Sequence, residues 1–352
     1  MFRQKTAIIV GAGASCELGL PSGDQLKRDI VRLLKPTDDN VYGFIDKTMI
    51  AYMHQMGYPN SFEFGERMKD VKEAADRIRK GLPLALSIDN FLHSHHGDSE
   101  VEKLGKLAIA ISIIHAEERS YLFHRATALE RANPNYKPSI QIYNEKLLES
   151  WYPLFAKLAM SEVHRQNISK VFDNLRFVIF NYDRCFEQYI WIALQSYFGV
   201  SGEEASDVLS GVSFIHPYGT LGPLPWQSKD ESVAFGEFNV NQLSGMASRI
   251  RTFTESVQSD IGSSVKDAVE WADTIVILGF GYLDQNIQLL SPGSTACSNR
   301  VFSTALNVSG PDQLVMKEAM MKLAGVNENN AMIEPGSCRN RFNNYWLHLS
   351  LR

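Results

Sequence analysis

Three short polar segments each follow an apolar run rich in β-branched residues, and their residue types suit binding and cleaving a nucleotide. They are GAGAS at 11–15, NYD at 181–183 and HPYG at 216–219. Glycines let the backbone approach a phosphate, while an amide and a carboxylate can orient polar groups. An imidazole, whose unperturbed pKa is about 6.5, can move a proton near neutral pH. Because ligands bind at the carboxyl ends of strands in open parallel sheets, we expect the three segments to meet at one ligand.

The glycine segment alone supports two interpretations. Gly11 and Gly13 follow the strand predicted at 6–10, and the helix after them would offer its positive N-terminus to a diphosphate. The same pattern occurs where a strand must simply bend sharply. A conventional dinucleotide fold also needs a second strand that ends in an acid about 20 residues onward. Asp38 and Asp39 lie near that distance but within a Pro/Asp/Asn break with no strand before them, which disfavours a conventional dehydrogenase.

The other segments also have structural interpretations. Asn181 and Asp183 could end a strand by hydrogen bonding to nearby backbone, and a single histidine such as His216 is commonly structural. The functional interpretation rests on the coincidence of all three segments at predicted strand ends. A fourth segment, the glycine turn GFGY at 279–282, follows another predicted strand.

The elements that must position these segments alternate between strand and helix, which predicts an α/β fold with a doubly wound, Rossmann-like parallel sheet. From about 41 to 170 the apolar periodicity is helical, with an interruption expected at Pro153, so we expect a large helical insertion. The predicted domains are a Rossmann-like domain from 1–35 and 171–352 and a helical subdomain from 36–170. Strands are predicted at 6–10, 176–180, 212–215, 274–278 and 301–306; helices at 24–34, 104–123, 143–158, 186–197, 261–271, 284–290 (capped by Asp284) and 312–323; and a loop at 219–245.

The composition excludes several classes. The chain has 352 residues, 44% of them hydrophobic and 21% charged, which is typical of globular proteins. A net charge of −5 gives no sign of nucleic-acid binding. Four scattered cysteines form no zinc ribbon or disulfide framework, and His93, His95 and His96 are expected in an exposed polar loop, so we expect no metal. No uncharged apolar run approaches the ~20 residues of a membrane span, so we expect a soluble cytoplasmic protein without membrane attachment.

The order of the motifs resembles the sirtuin superfamily. It runs GAGxS with GLP at 19–21, then NxD, then a strand that ends in histidine, then a GxG turn. The chain is most similar to a bacterial antiphage-defence branch of that superfamily, the sirtuin-like NAD hydrolases. The segments SIDNFL at 87–92 and GFGYLD at 279–284 resemble that branch's variants. The resemblance covers residues 6–24, 87–92 and 171–310.

The resemblance implies a role for each matching residue. Asn181 would hold the nicotinamide-side ribose and an incoming water, His216 would be the general base, and Asp183 would accept a hydrogen bond from the carboxamide. The diphosphate of NAD, as substrate, would lie on Gly11, Ala12, Gly13 and Ser15. The remaining implied NAD-binding residues are Pro21, Asp89, Tyr182, Gly279, Phe280, Gly281 and Tyr282, the last four on the adenosine side.

Two departures argue against protein deacylation. The chain lacks the paired-cysteine zinc module of deacylating sirtuins, and Ser22-Gly23-Asp24 replaces their Asp-Phe-Arg. Breaking the nicotinamide–ribose bond, by contrast, passes through an oxocarbenium-like ribose, as in glycoside cleavage. That reaction needs orientation, charge stabilisation and a base, and it needs no metal.

The leading hypothesis is therefore an NAD glycohydrolase that releases nicotinamide and ADP-ribose. The resemblance implies an NAD-depleting effector of antiphage defence by abortive infection. It would be controlled by homo-oligomerisation through the helical insertion or by a separate partner, such as a ring-forming DNA-translocating ATPase or an Argonaute-like protein. Two alternatives stay open: an NAD-dependent deacylase or ADP-ribosyl transferase, and a non-catalytic module that senses NAD or ADP-ribose and signals by assembly.

Overall fold

A six-stranded, wholly parallel sheet forms the centre of the protein. The computed structural model describes residues 2–56, 62–123, 144–292 and 298–350, without the side chains of 62–64. The strand order is β3-β2-β1-β4-β5-β6, so the winding direction reverses between β1 and β4. This confirms the predicted doubly wound, Rossmann-like fold. The strands are β1 Thr6–Val10, β2 Leu175–Ile179, β3 Phe214–Ile215, β4 Thr274–Leu278, β5 Arg300–Thr304 and β6 Ala331–Glu334.

Helices cover both faces of this sheet. Up to β2 they are α1 Ala12–Ser15, α2 Gly23–Leu33, α3 Lys47–Met56, α4 Phe62–Gly81, α5 Ile88–Ser94, α6 Ser99–Arg119, α7 Glu145–Leu148 and α8 Trp151–Met160. Between β2 and β4 they are α9 Cys185–Phe198, α10 Gly202–Ser210, α11 Leu243–Arg249, α12 Phe253–Gln258 and α13 Asp260–Trp271. After β4 they are α14 Asp284–Leu290, α15 Gly310–Ala324, α16 Cys338–Asn344 and α17 Trp346–Ser350. Short 3-10 segments are Cys16–Leu18, Leu82–Leu84, Arg165–Phe172, Val240–Gln242 and Glu328–Asn330.

The central strands β1 and β4 are apolar at four of their five positions, with a buried threonine at the first, because both of their faces are covered. All five residues of β1 are buried. Ala7 and Ile9 join the apolar cluster on one face of the sheet, whereas Ile8 and Val10 join the cluster on the other. Successive side chains of a strand point to opposite faces, so one short strand contributes to two cores.

The helical region between β1 and β2 is built around α6. This helix is buried on almost every side, which explains its nearly continuous apolar character, and it packs against α2, α4 and α11. The helix predicted at 143–158 is wrong in detail. Residue 143 lies outside the described residues, and the chain leaves the helix at Glu149–Ser150 rather than at Pro153. Pro153 lies in the first turn of α8, where a missing N–H breaks no helical hydrogen bond.

Several other elements differ from the prediction. The helix α10 was not predicted, because its sequence is polar; a capping box between Ser201 and Glu204 begins it. The four-residue strand β6 was too short to detect, and α11 begins within the end of the predicted loop. Asp284 is the first residue of α14 rather than its cap. No helix in the described part of the chain has the length and apolar character needed to cross a bilayer.

Candidate functional site

The carboxyl ends of β1, β2, β3 and β4 bring the four predicted segments to one edge of the sheet. Val10, the last residue of β1, is in register with Ile179 of β2 and with Leu278 of β4. Val178 is paired in turn with Ile215, which directly precedes His216. The segments beginning at 11, 181, 216 and 279 therefore follow neighbouring strands, at the switch point where open α/β sheets bind ligands.

The glycines of the first and fourth segments let two turns pack against each other. A Cβ atom at Gly11 would lie 2.6 Å from the carbonyl oxygen of Gly279. Gly279 itself has φ +56°, and a Cβ there would lie 2.0 Å from the Ala14 nitrogen. The N–H of Gly13 donates to the Gly279 carbonyl at 2.9 Å, so this conformation does not offer it to a diphosphate. The close approach of the two turns is one reason for glycine at these positions, and α1, with four residues, provides little helix dipole.

Asn181 presents a buried oxygen that lacks a hydrogen-bond donor. Its side chain is 5% exposed, and its Nδ2 donates to the hydroxyl of buried Ser15 at 2.8 Å. This bond fixes the amide, and it leaves Oδ1 buried with no partner among the described residues. An unsatisfied buried acceptor costs about 1–3 kcal/mol, so a bound ligand that donates to Oδ1 would recover that energy.

Asp183 caps the start of α9. Its Oδ1 accepts a hydrogen bond from the Cys185 backbone N–H at 3.1 Å, which is the turn chemistry expected of such a residue. Burial raises the pKa of Asp183 to about 6; the bond from Cys185 opposes this rise, and the nearby charge of Glu117 adds to it. The carboxyl is therefore held at a pKa close to neutral.

Tyr182 connects the site to the helical region. Its hydroxyl donates to the carboxylate of Asp89, which lies in the first turn of α5. Burial raises the pKa of both groups, and the Tyr182 hydrogen bond opposes the rise at Asp89. The two predicted NAD-binding residues are thus brought together.

His216 forms a buried pair with Glu187, which the sequence analysis did not identify. Nε2 of His216 lies 2.5 Å from Oε1 of Glu187, and Nδ1 lies 3.3 Å from the backbone oxygen of Asn181. Burial lowers the pKa of His216, but the charge and hydrogen bond of Glu187 outweigh it, so the pKa is raised overall. The second oxygen of Glu187 is buried with no hydrogen-bond partner in the described ranges. The available signal was an acid in the first turn of the helix that follows NYD.

A second pair that the sequence did not reveal supports the same region. Arg184 and Glu117 are 1% and 0% exposed and form an ion pair of 2.6 Å. The backbone N–H of Arg184 also donates to Glu117, at 3.0 Å. The guanidinium further donates to the carbonyls of Val233 at 2.6 Å and Ala234 at 3.2 Å. These bonds join α6, the start of α9 and the loop after β3.

The remaining predicted residues lie around this centre. Phe280 is buried against Phe180, with ring centroids 5.0 Å apart, and the Tyr282 hydroxyl donates to Ser303 at 2.8 Å. Pro21 is half-buried in the segment before α2. Of the predicted site residues, Gly13 and Gly281 are the exposed ones, at the tips of the two glycine turns.

The prediction that His93, His95 and His96 lie in an exposed loop is wrong for the first two: His93 is half-buried within α5 and His95 is half-buried just after it. Each of the three has a separate partner. His93 contacts Thr254, His95 contacts the Phe91 carbonyl, and His96 contacts Glu102. Within the described ranges, no group of histidine, cysteine and acidic side chains has the arrangement of a metal site.

Neither a scan of protein-family models nor a search of curated protein sequences finds a match to this chain. The evidence on function is therefore the geometry of the site together with the motif resemblance.

Proposed function

We propose that this protein is an NAD glycohydrolase that hydrolyses the nicotinamide–ribose bond and releases nicotinamide and ADP-ribose. The observation that carries the proposal is the unsatisfied Oδ1 of Asn181 beside the Glu187–His216 pair, at the switch point of the sheet. A hydrogen-bond acceptor and a carboxylate-supported imidazole at one place are what hydrolysis at a ribose carbon requires.

Asn181 would orient the nucleophile. The hydrogen bond to Ser15 fixes the orientation of the amide, so Oδ1 has a set position for accepting a hydrogen bond from water or a ribose hydroxyl. Such a preset acceptor aligns the reacting oxygen without reorganisation during the reaction.

His216 would take the proton. Its Nδ1 contact with the Asn181 carbonyl is long at 3.3 Å, so a substrate hydroxyl or water can replace that carbonyl, while Nε2–H stays with Glu187. The bond from the ribose carbon to nitrogen breaks with its electron pair going to the ring, which leaves as neutral nicotinamide. The water oxygen bonds to that carbon, and its proton goes to Nδ1. Glu187 stabilises the imidazolium that results.

Asp183 would contribute to nicotinamide recognition. Cys185 binds one of its oxygens, and a carboxyl with a pKa of about 6 accepts a carboxamide N–H above that pH. The biological role follows from the resemblance alone: NAD depletion in antiphage defence, controlled by self-assembly or by a separate partner.

A non-catalytic NAD or ADP-ribose sensor is the second candidate. Both ring nitrogens of His216 already have protein partners, and the side chains of Asn181 and Asp183 are buried, which also suits a site that only binds.

Nicotinamide release from NAD by the purified full chain, measured over a range of protein concentrations, separates these functions. Asn181→Ala and His216→Ala should each reduce release by about 10²–10⁴-fold, whereas the exposed-site controls Asn343→Ala and His164→Ala should not. Release that requires an acyl-lysine peptide would instead indicate a deacylase. NAD binding by titration without any release would indicate the sensor.

A further inference from the structure

A cavity of about 810 Å³ lies beside α9, and none of the candidate site residues lines it. Its walls come from α9, α10 and the loop after β3. A volume in this range is typical of pockets that enclose a ligand of drug-like size or one extended side chain with its neighbours. We call it the tryptophan groove, after Trp191 and Trp226.

The two indoles of the groove are stacked in parallel. Their planes differ by 3° and their centroids are 6.2 Å apart. Nε1 of Trp191 donates to the Gly202 carbonyl at 3.0 Å and to Ser206 Oγ at 3.1 Å, so this ring is fixed. Nε1 of Trp226 is buried and has no acceptor in the part of the chain that the structure describes. Since an indole N–H can only donate, the groove has an unmet need for an acceptor oxygen.

Gln188 is a second unpartnered polar side chain of the groove. It is 5% exposed, it lines the cavity, and its amide makes no side-chain hydrogen bond with any described residue. An amide both donates and accepts, so Gln188 and Trp226 together match the polar groups of one peptide unit.

The charge of the groove selects against anions. Among the described residues, its lining includes the carboxylates of Glu203, Asp207 and Glu237 and one ammonium group, that of Lys229. Phosphates would be repelled, whereas a cation would be attracted by the carboxylates and by the faces of the indoles.

We propose that the tryptophan groove binds an arginine or lysine side chain carried by a segment of a partner polypeptide. The side chain lies over the indoles with its charge near the carboxylates. A backbone carbonyl of the segment accepts the Trp226 N–H, and the adjoining peptide group pairs with Gln188. One wall of the groove is preformed, because the Arg184 guanidinium donates a hydrogen bond of 3.2 Å to the carbonyl of Ala234. Ala234 is part of that wall.

The test uses ¹⁹F NMR of the full chain labelled with 5-fluorotryptophan. The probes are N-acetyl-arginine methylamide and its neutral analogue N-acetyl-citrulline methylamide, and Trp→Phe variants assign the resonances. The arginine probe should shift the Trp191 and Trp226 resonances saturably, with a Kd on the order of 1 mM, and at least about 10-fold more tightly than the citrulline probe. Trp226→Phe should weaken both probes, and Lys229→Gln should strengthen the arginine probe.

Three results would overturn the proposal. The first is equal binding of the two probes, or no saturable shift of Trp191 and Trp226. The second is a preference for arginine that is undiminished when the exposed carboxylates are neutralised together as Glu203→Gln, Asp207→Asn and Glu237→Gln. The third is binding of free guanidinium as tight as that of the arginine probe, since this would identify a site for small organic cations rather than for a polypeptide.

Discussion

Glu187 Oε1 lies 2.5 Å from His216 Nε2, so a carboxylate on the first turn of α9 supports the imidazole at the end of β3. The pairing leaves Nδ1 on the side of Asn181, where the proposed chemistry takes place. It adds a third residue, in a positioning role, to the catalytic arrangement that we propose.

Glu187→Gln should change the pH profile of NAD cleavage. The neutral amide removes the charge that raises the pKa of His216, so the acid limb of kcat/KM should move to lower pH, and the maximal rate should fall because the imidazolium loses its support. Initial rates of nicotinamide release between pH 5 and 9, a range set around the ordinary histidine pKa of about 6.5, would measure this. The exposed-site control Glu318→Gln should keep the profile of the parent protein. An acid limb that does not move would contradict the pairing.

Asp183→Asn should stabilise the fold at alkaline pH. The folded pKa is about 6, against about 3.9 in an unfolded chain, so the folded state favours the protonated carboxyl. The stabilisation of the parent protein by that proton is complete below pH 4 and is lost as the pH rises through 6. The variant should therefore gain about 2–3 kcal/mol in unfolding free energy at pH 8 but only about 0.5 kcal/mol at pH 4. Urea denaturation of the parent and the variant at pH 4 and pH 8 gives the two differences in unfolding free energy. An equal difference at both pH values would show that ionisation of Asp183 does not cause the stabilisation.

Arg184→Met should be strongly destabilising. It leaves the Glu117 carboxylate buried without its cation, which costs about 3–5 kcal/mol. The double variant Arg184→Met, Glu117→Leu should recover part of that loss, because both charges are then removed. Breaking the exposed Lys103–Glu100 pair by Lys103→Ala provides the control, with an expected effect below about 1 kcal/mol. Urea-induced unfolding of the parent, the two Arg184 variants and the Lys103→Ala control measures these effects. A double variant no more stable than Arg184→Met alone would contradict the view that the unpaired Glu117 charge causes the loss.

Gly279→Ala should destabilise the protein far more than Gly281→Ala. Position 279 combines a left-handed φ of +56° with a Cβ that would lie 2.0 Å from the Ala14 nitrogen, whereas a Cβ at 281 meets nothing within 4 Å. We expect a loss of at least about 2 kcal/mol at 279 and a change of less than about 0.5 kcal/mol at 281. Thermal unfolding compares the two neighbours directly. Similar melting temperatures would mean that the turns do not depend on close packing.

The local sequence determined the main elements of the sheet. Apolar β-branched runs predicted β1 and β4 at their observed bounds, because a strand covered on both faces reads as a nearly continuous apolar run. The predicted segments at strand ends share one edge because parallel strands present their carboxyl ends together. The polar helix α10 and the four-residue β6 escaped prediction, since neither has enough apolar periodicity to be recognised.

Only the tertiary structure decided how distant residues combine. The strand order places β2 and β4 on either side of β1, although 164 and 263 residues separate Val10 from the starts of those strands. Each separation is about as long as a whole domain. Glu117 and Arg184 are 67 residues apart, and only the packing of α6 against the site makes them a pair. Likewise the pKa of Asp183 follows from burial and not from its residue type. Apolar periodicity and turn chemistry act over a few residues and can therefore be predicted from the sequence. Desolvation and ion pairing depend on which surfaces the folded chain brings together.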